Sequence, residues 1–253
     1  MPPRLYLDAP LRAGDELDLP PEPARHVQVL RLQPGDAVTL FNGAGGEWAA
    51  EVLRMGGRQQ VAVRVGAHDA ASREPGRRVT LALGMPANER MDALIEKATE
   101  LGVAAIQPLQ CARSVLRLAG ERAERRREHW QAVAIAAAEQ SGRTRVPTIE
   151  PVRALADWLG TLPGARPGCA RLLLSLARDA PPLAATAGRP DVDDGLLLSG
   201  PEGGLDAQEE ALARQHGFNP ASLGPRVLRA DTAPLAALVL LTALDHATGR
   251  TTA

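Results

Sequence analysis

Two stretches near the C-terminus carry residue types suited to holding a ligand against the main chain. Leu196–Ser199 is apolar and short enough for a buried strand, and it runs into Gly200-Pro201-Glu202-Gly203-Gly204. Leu223-Gly224-Pro225-Arg226 precedes a second short run, Val227–Arg229, which reads as a strand leading into Asp231-Thr232-Ala233-Pro234. Glycine at such positions admits close approach of a ligand to backbone. In open α/β sheets, ligands sit in loops at the carboxyl ends of strands. Either stretch alone is also what a plain turn looks like. A second chemistry attaches to Lys97, the one lysine in a chain whose other basic residues are all arginine. An ammonium is compact and changes pKa readily on burial, whereas a guanidinium is forked and always charged. Lys97 therefore marks a place where guanidinium would not serve, or an accident of composition.

The elements that must position these residues follow from periodicity. Val79–Leu83 reads as a strand, and Asn88 as the cap of a helix running to Leu101 and stopped by Gly102. Met91, Leu94, Ile95, Ala98 and Leu101 give that helix an apolar stripe, with Lys97 at its edge and Glu100 on the opposite face. Val103–Leu109 is the next strand, ending near Arg113-Ser114. A long helix spans Glu121 to Gln140 and closes at Gly142. Its Arg122, Arg125, Arg126 and Arg127 read as a solvated face paired with Glu121, Glu124 and Glu128. Ala132–Ala138 supplies small residues for close packing, inside the domain or across a dimer. Arg171–Leu176 is a strand between loops at 160–168 and 178–195. Asp206 caps a further helix, with Glu209 three residues on and a stop at Gly217.

Strands alternating with helices imply a largely parallel α/β sheet from Val79 onward. No phosphate-binding signature follows its first strand, because Gly84-Met85-Pro86-Ala87-Asn88 is neither a dinucleotide fingerprint nor a P-loop. The glycine loops come late instead. That order argues against ordinary NAD or ATP enzymes, and against the common methyltransferase fold whose glycine loop comes first.

The first 70 residues read differently. Short alternating runs at Leu5–Leu7, Glu16–Leu19, Ala37–Phe41, Glu47–Leu53 and Gln60–Val65, with Asn42-Gly43 and Gly56-Gly57 turn signals, predict a small β-barrel. Ala24–Leu32 is expected to form one or two helical turns. A small barrel carrying Arg4, His26 and Arg31 is compatible with RNA binding through phosphate contacts, while 2% aromatic content argues against a stacking platform for several bases. Residues 67–78 read as a linker, dividing the chain into domains 1–72 and 73–253.

Composition narrows the classes. A net charge of −1 gives no global case for nucleic acid, so any basic surface is local. Cys111 and Cys169 match no metal or redox spacing, and no metal site is expected. No apolar run approaches the ~20 residues that span a bilayer, and no charged segment followed by an apolar run opens the chain. No membrane association and a cytoplasmic location are the expectations.

Several motifs now align with a known family. Lys97–Val103, Arg113-Ser114, Glu139-Gln140 with Arg143, Gly200–Gly204 and Leu223–Arg229 occur in the order of the ribosomal RNA small-subunit methyltransferase E (RsmE) family of the SPOUT superfamily. So do Arg4, His26, Val29-Leu30-Arg31 and Gly35-Asp36. The chain resembles that family along essentially its whole length. The resemblance implies a PUA-like β-barrel followed by a SPOUT-type α/β domain with a C-terminal trefoil knot. It further implies a homodimer, S-adenosyl-L-methionine as methyl donor, and methylation at N3 of a uridine in 16S rRNA of the small ribosomal subunit. On that basis Leu174, Leu198, Gly200, Pro201, Glu202, Gly203, Leu223, Gly224 and Leu228 are the cofactor-binding candidates. Lys97 or Arg113 would stabilise the uracil anion, Glu100 or Glu139 would take the proton if burial raises its pKa, and Arg229 would serve cofactor or substrate. Where the family has glutamate before Thr-Ala, this chain has Asp231, which suits a helix cap. A non-catalytic RNA-binding assembly factor and a SPOUT enzyme acting on another RNA are the competing readings.

Overall fold

The computed structural model describes residues 2–57, 60–87, 89–187, 189 and 191–247, so the cap expected at Asn88 lies outside the described residues. The chain forms two compact units. Among the described residues, one comprises those up to Glu74 together with Ala138–Val146, and the other comprises Pro75–Ala137 and those from Pro147 onward.

The first unit holds strands β1 (Arg4–Tyr6), β2 (Glu16–Asp18), β3 (Ala37–Phe41), β4 (Glu47–Met55) and β5 (Val61–Asp69) in the order β1-β3-β4-β5-β2. The β1–β3 pair is parallel and the other pairs are antiparallel. β5 runs into the stretch that reads as a linker, because it keeps pairing with β4 as far as Glu47 opposite Asp69. Leu5, Leu40, Val52 and Val63 form the core with Ala24 and Val27 of helix α1 (Pro21–Val29). That helix starts earlier than its apolar residues suggest, since Pro21 occupies the first turn, where a missing N–H costs nothing. It ends in a Schellman motif: Arg31 N–H donates to Gln28 O at 3.0 Å and Leu32 N–H to Val27 O at 3.2 Å. Arg31 holds the left-handed position, φ +56°, that glycine usually fills.

The second unit is a parallel sheet of β6 (Arg78–Gly84), β7 (Ala105–Gln110), β8 (Thr148–Ile149), β9 (Arg153–Ala154), β10 (Cys169–Leu174), β11 (Asp194–Ser199) and β12 (Asn219–Ala221). The order is β12-β10-β11-β6-β7-β8, with β9 also on β7. Its helices are α2 (Glu89–Glu100), α3 (Gly120–Ser141, of which the residues from Ala138 on belong to the first unit), α4 (Leu155–Thr161), α5 (Leu183–Ala187), α6 (Ala207–Gln215) and α7 (Thr232–Ala247). Leu172 and Leu197 join one core cluster with Met91, Leu94, Ile95 and Trp130, while their neighbours Leu173 and Leu198 join another with Trp158 and Phe218. Both faces of these strands are buried, which is why they read as continuous leucine runs rather than alternating ones. Asp92 fixes α2 to α3 by accepting the Trp130 indole N–H at 2.9 Å.

The last strand corrects the sequence reading. Val227–Arg229 is loop, with Val227 79% exposed, and the strand is Asn219–Ala221 alongside β10. Similarly, α5 occupies part of the expected loop 178–195. No helix among the described residues is long and apolar enough to cross a membrane.

Candidate cofactor pocket

The chain segments that follow β10, β11 and β12 converge on a cavity of about 350 Å³, in the size range of small-molecule sites. Residues from 174–176, 199–205 and 221–233 line it, with Arg113 and Glu210. The glycine loop after β11 crosses the end of β6 in close contact: a Cβ on Gly84 would lie 2.4 Å from Pro201 Cδ. Any side chain at Gly84 would lift the loop away.

Three polar ties hold that loop. Glu202 accepts the Ala87 N–H at 3.0 Å and faces Arg90 at 3.4 Å. Arg113 Nη1 donates to Gly203 O at 2.8 Å. Asp206 and Glu209 form the capping box expected for α6, with Glu209 N–H donating to Asp206 Oδ1 at 2.8 Å. Glu209 also accepts the Ala112 N–H at 2.7 Å. Cys111, beside this loop, is buried, and burial pushes its thiol up to about 12, so it is no thiolate nucleophile near neutral pH.

The structure brings most of the cofactor candidates together. Leu174, Gly200, Pro201, Glu202, Gly203, Leu223, Gly224 and Leu228 all line the cavity, as does Arg113. Leu198 does not: its side chain is fully buried in the core with Leu173 and Phe218, beneath the loop rather than in its wall. Sequence reasoning also missed Arg226, Leu176 and Glu210. Arg226 and Val227 lie inside the glycine-bearing motif and could have been found there, while Leu176, 67% exposed, reads as an ordinary strand residue.

The remaining catalytic candidates lie elsewhere. Lys97 is half exposed and donates to Glu96 at 2.7 Å and Glu100 at 2.8 Å. These bonds, Glu100's first, raise its pKa, so the lone lysine stays firmly charged instead of being tuned by burial. Glu100 therefore shares a face with Lys97 rather than opposing it, as residues three apart on a helix do. Neither lines the cavity. Glu139 belongs to the first unit, where it accepts the Tyr6 N–H at 2.8 Å and lies 3.9 Å from His26. Burial does raise its pKa, with the Tyr6 N–H opposing. Arg229 is exposed and outside the lining, and its carbonyl receives the N–H groups of Thr232 and Ala233. Those bonds also correct the reading of Asp231: Ala233 N–H is taken, Pro234 has none, and the carboxylate instead receives the Thr232 hydroxyl at 3.5 Å.

In the RNA-binding set, Arg4 is 8% exposed, with its guanidinium donating to Glu47 and, at 2.9 Å, to Arg143 O, over the Phe41 ring. Closed on those partners, it cannot reach a phosphate. His26 is partly exposed and Arg31 is exposed. Among the described residues no group of three His, Cys, Asp or Glu is placed to hold a metal ion.

Comparison with known proteins bears on this geometry. Residues 72–242 match the RNA methyltransferase domain family, and residues 19–66 match the RNA methyltransferase PUA domain family. The chain is 35% identical to the ribosomal RNA small subunit methyltransferase E of Synechocystis sp., across 86% of this chain and 69% of that one. It is 34% identical to the enzyme of that name from Bacillus subtilis, across 84% and 83%. A crystal structure of ribosomal RNA small subunit methyltransferase E from Neisseria gonorrhoeae, bound to S-adenosyl methionine, superposes with a TM-score of 0.87 at 34% identity, covering 96% of this chain and 98% of that one. With a PUA-like β domain ahead of a parallel α/β SPOUT-like domain, the chain belongs to the ribosomal RNA small subunit methyltransferase E family.

Proposed function

We propose that this protein methylates N3 of a uridine in the 16S rRNA of the small ribosomal subunit, using S-adenosyl-L-methionine and acting as a cytoplasmic homodimer. The observation that carries the reading is the cavity walled by the glycine loop and by Leu223–Leu228, in a member of this family. The residues present fit the donor. Small and apolar side chains at Leu174, Ala221, Leu223 and Leu228 suit an adenosine, and both signs of charge, Glu202 and Glu210 against Arg113 and Arg226, meet a zwitterionic amino acid portion. Bound there, the donor supplies an already activated methyl group, which leaves orientation and proton handling to the protein.

A uridine N3–H is weakly acidic and normally paired or stacked, so the base must be exposed and its developing anion stabilised. Arg113 is the candidate for that task, because Nη1 is committed to Gly203 while the guanidinium has further N–H donors. Leu176, Val227 and Arg226 stand exposed at the cavity, apolar surface for a base and charge for a phosphate. In the first unit, His26 and Arg31 remain the candidates for RNA contact. Arg31→Gly should weaken RNA binding and lower its salt dependence by about one phosphate contact. It should not destabilise the fold, since glycine prefers φ +56°.

The decisive experiment supplies labelled S-adenosylmethionine with unmethylated small subunits, free 16S rRNA or bulk transfer RNA, and maps the product base. Label at uridine N3 of 16S rRNA is expected. Transfer to transfer RNA alone, or binding of donor and RNA without transfer to any of them, overturns the proposal. Sedimentation of the purified protein at monomer mass across micromolar concentrations would overturn the homodimer.

A further inference from the structure

We propose that Glu209 is a positioning residue for the methyl-transfer site: its carboxylate fixes the loop after β7 against the glycine loop and so holds Arg113 in the pocket wall. The inference rests on the reading that this cavity binds S-adenosylmethionine with Arg113 at work in it.

The two oxygens of Glu209 serve different segments. Oε2 accepts the Asp206 N–H at 3.0 Å, which is the ordinary second half of a capping box. Oε1 accepts the Ala112 N–H at 2.7 Å, from a residue 97 positions earlier, and no helix cap calls for that bond. The next residue is Arg113. Its Nη1 reaches Gly203 O at 2.8 Å and Leu205 O at 3.5 Å, and its Cβ lies 3.0 Å from where a side chain on Gly203 would begin. Ala112, Glu209, Asp206, the glycine loop and Arg113 thus close a ring. The backbone beside Arg113 is tied by Glu209, and its side chain is tied by the loop that Glu209 also caps.

The residue type fits the double task. Glutamine completes a capping box as well as glutamate does, but its amide has a single acceptor oxygen and would set an NH₂ group against the second N–H. Only a carboxylate accepts from Ala112 and Asp206 together. Capping alone does not require glutamate here.

Four variants of the full-length protein, Glu209→Gln, Asp206→Ala, Arg113→Ala and the Glu209→Gln/Arg113→Ala double, separate positioning from capping. In Glu209→Gln, hydrogen–deuterium exchange in the free protein should quicken at residues 112–114, and the calorimetric affinity for S-adenosylmethionine should fall about tenfold, the worth of one hydrogen bond to a charged acceptor. Asp206→Ala removes the N-cap acceptor of α6 but leaves the Ala112 bond in place. It should lower the thermal midpoint at least as much, with exchange at 112–114 unchanged and a smaller loss of donor affinity than Glu209→Gln gives. Because Glu209 acts through Arg113, Glu209→Gln added to Arg113→Ala should cost no more than about a further twofold in affinity, whereas independent effects would multiply. Unchanged exchange at 112–114 in Glu209→Gln overturns the proposal, as do parallel affinity losses in Glu209→Gln and Asp206→Ala, or multiplying losses in the double variant. Failure of the wild-type protein to bind S-adenosylmethionine overturns the cofactor reading instead, and the exchange measurement still decides whether Glu209 holds the loop.

Discussion

The pocket of the second unit and the charged cluster of the first use the same residue types to opposite ends. In the cluster, Arg4 and Arg143 are buried and the exposed Arg73 reaches in to them; they donate to Glu47, Glu74 and the carbonyls of Gly142 and Arg143. In the pocket, Arg113 and Arg226 stay exposed, and Arg113 reaches the loop carbonyls through Nη1. The first arrangement uses guanidinium donors to close a structure, and the second leaves donors for a ligand. Location near a strand or helix end does not tell the two apart. What separates them is whether the donors are already taken.

That contrast can be broken or sharpened in four ways. The largest effect should come from Arg143→Met, which leaves the Glu74 carboxylate nearly buried without its guanidinium. A loss of about 3–5 kcal/mol in chemical denaturation is expected, with little change in donor affinity at a matched folded fraction. A loss below about 1 kcal/mol would mean the cluster is not closed in the sense argued.

Next is acid. The Arg73 hydrogen bond, joined by Arg4's and opposed by burial, pulls Glu47 down to about 2. A lowered carboxylate stabilises the fold above its unfolded pKa, and that contribution is lost as pH falls through the folded value. Roughly 3 kcal/mol should therefore disappear between about pH 4.5 and pH 2. Glu47→Gln should flatten that part of the stability profile, and an unchanged slope would remove Glu47 from the cluster's energetics. The pocket is tested by Gly84→Ala, whose methyl would displace Pro201. Overpacking of about 1–3 kcal/mol predicts a loss of roughly 5- to 150-fold in S-adenosylmethionine affinity in calorimetry. Normal affinity would show that the loop position does not matter. The smallest effect is of opposite sign. Burial raises Glu139, so its ionised form costs stability once pH rises through the raised value. Glu139→Gln keeps an acceptor for the Tyr6 N–H and should gain below about 1 kcal/mol at neutral pH and nothing in acid. Denaturation at both pH values checks the sign.

Much of the pocket is legible in the sequence because its walls are built from main chain. Glycines at 200, 203 and 224 and short apolar side chains at 174, 223 and 228 announce close backbone approach, and these residues converge. The helix of Asp206 and Glu209 is legible for a similar reason, since a capping box is local. Side-chain roles set by distant partners are not. Arg4 looks like a surface charge at the start of a strand until Glu47 and Arg143, 43 and 139 residues away, enclose it. Glu139 carries a family motif but takes its hydrogen bond from Tyr6, 133 residues earlier. Strand β12 escapes detection because Asn219-Pro220-Ala221 is poor strand sequence, made extended by pairing with β10. Val227–Arg229, better strand sequence, has no partner strand among the described residues and stays loop.

The position of β11 in the sheet has a consequence for how the molecule is made. β6 is flanked by β7, which follows soon after it, and by β11, where Asp194 meets Arg78 from more than a hundred residues later. Contacts this distant along the chain slow folding, because loop closure is paid before pairing repays it. During synthesis, β6 must wait with one edge open until β11 leaves the ribosome, and the segment after β12 comes later still. The pocket proposed to act on ribosomal RNA is accordingly assembled only after the segment following β12 has been translated. Pulse-labelled nascent chains stalled before residue 194 should be open to protease along β6, and those stalled well past residue 247 should be closed.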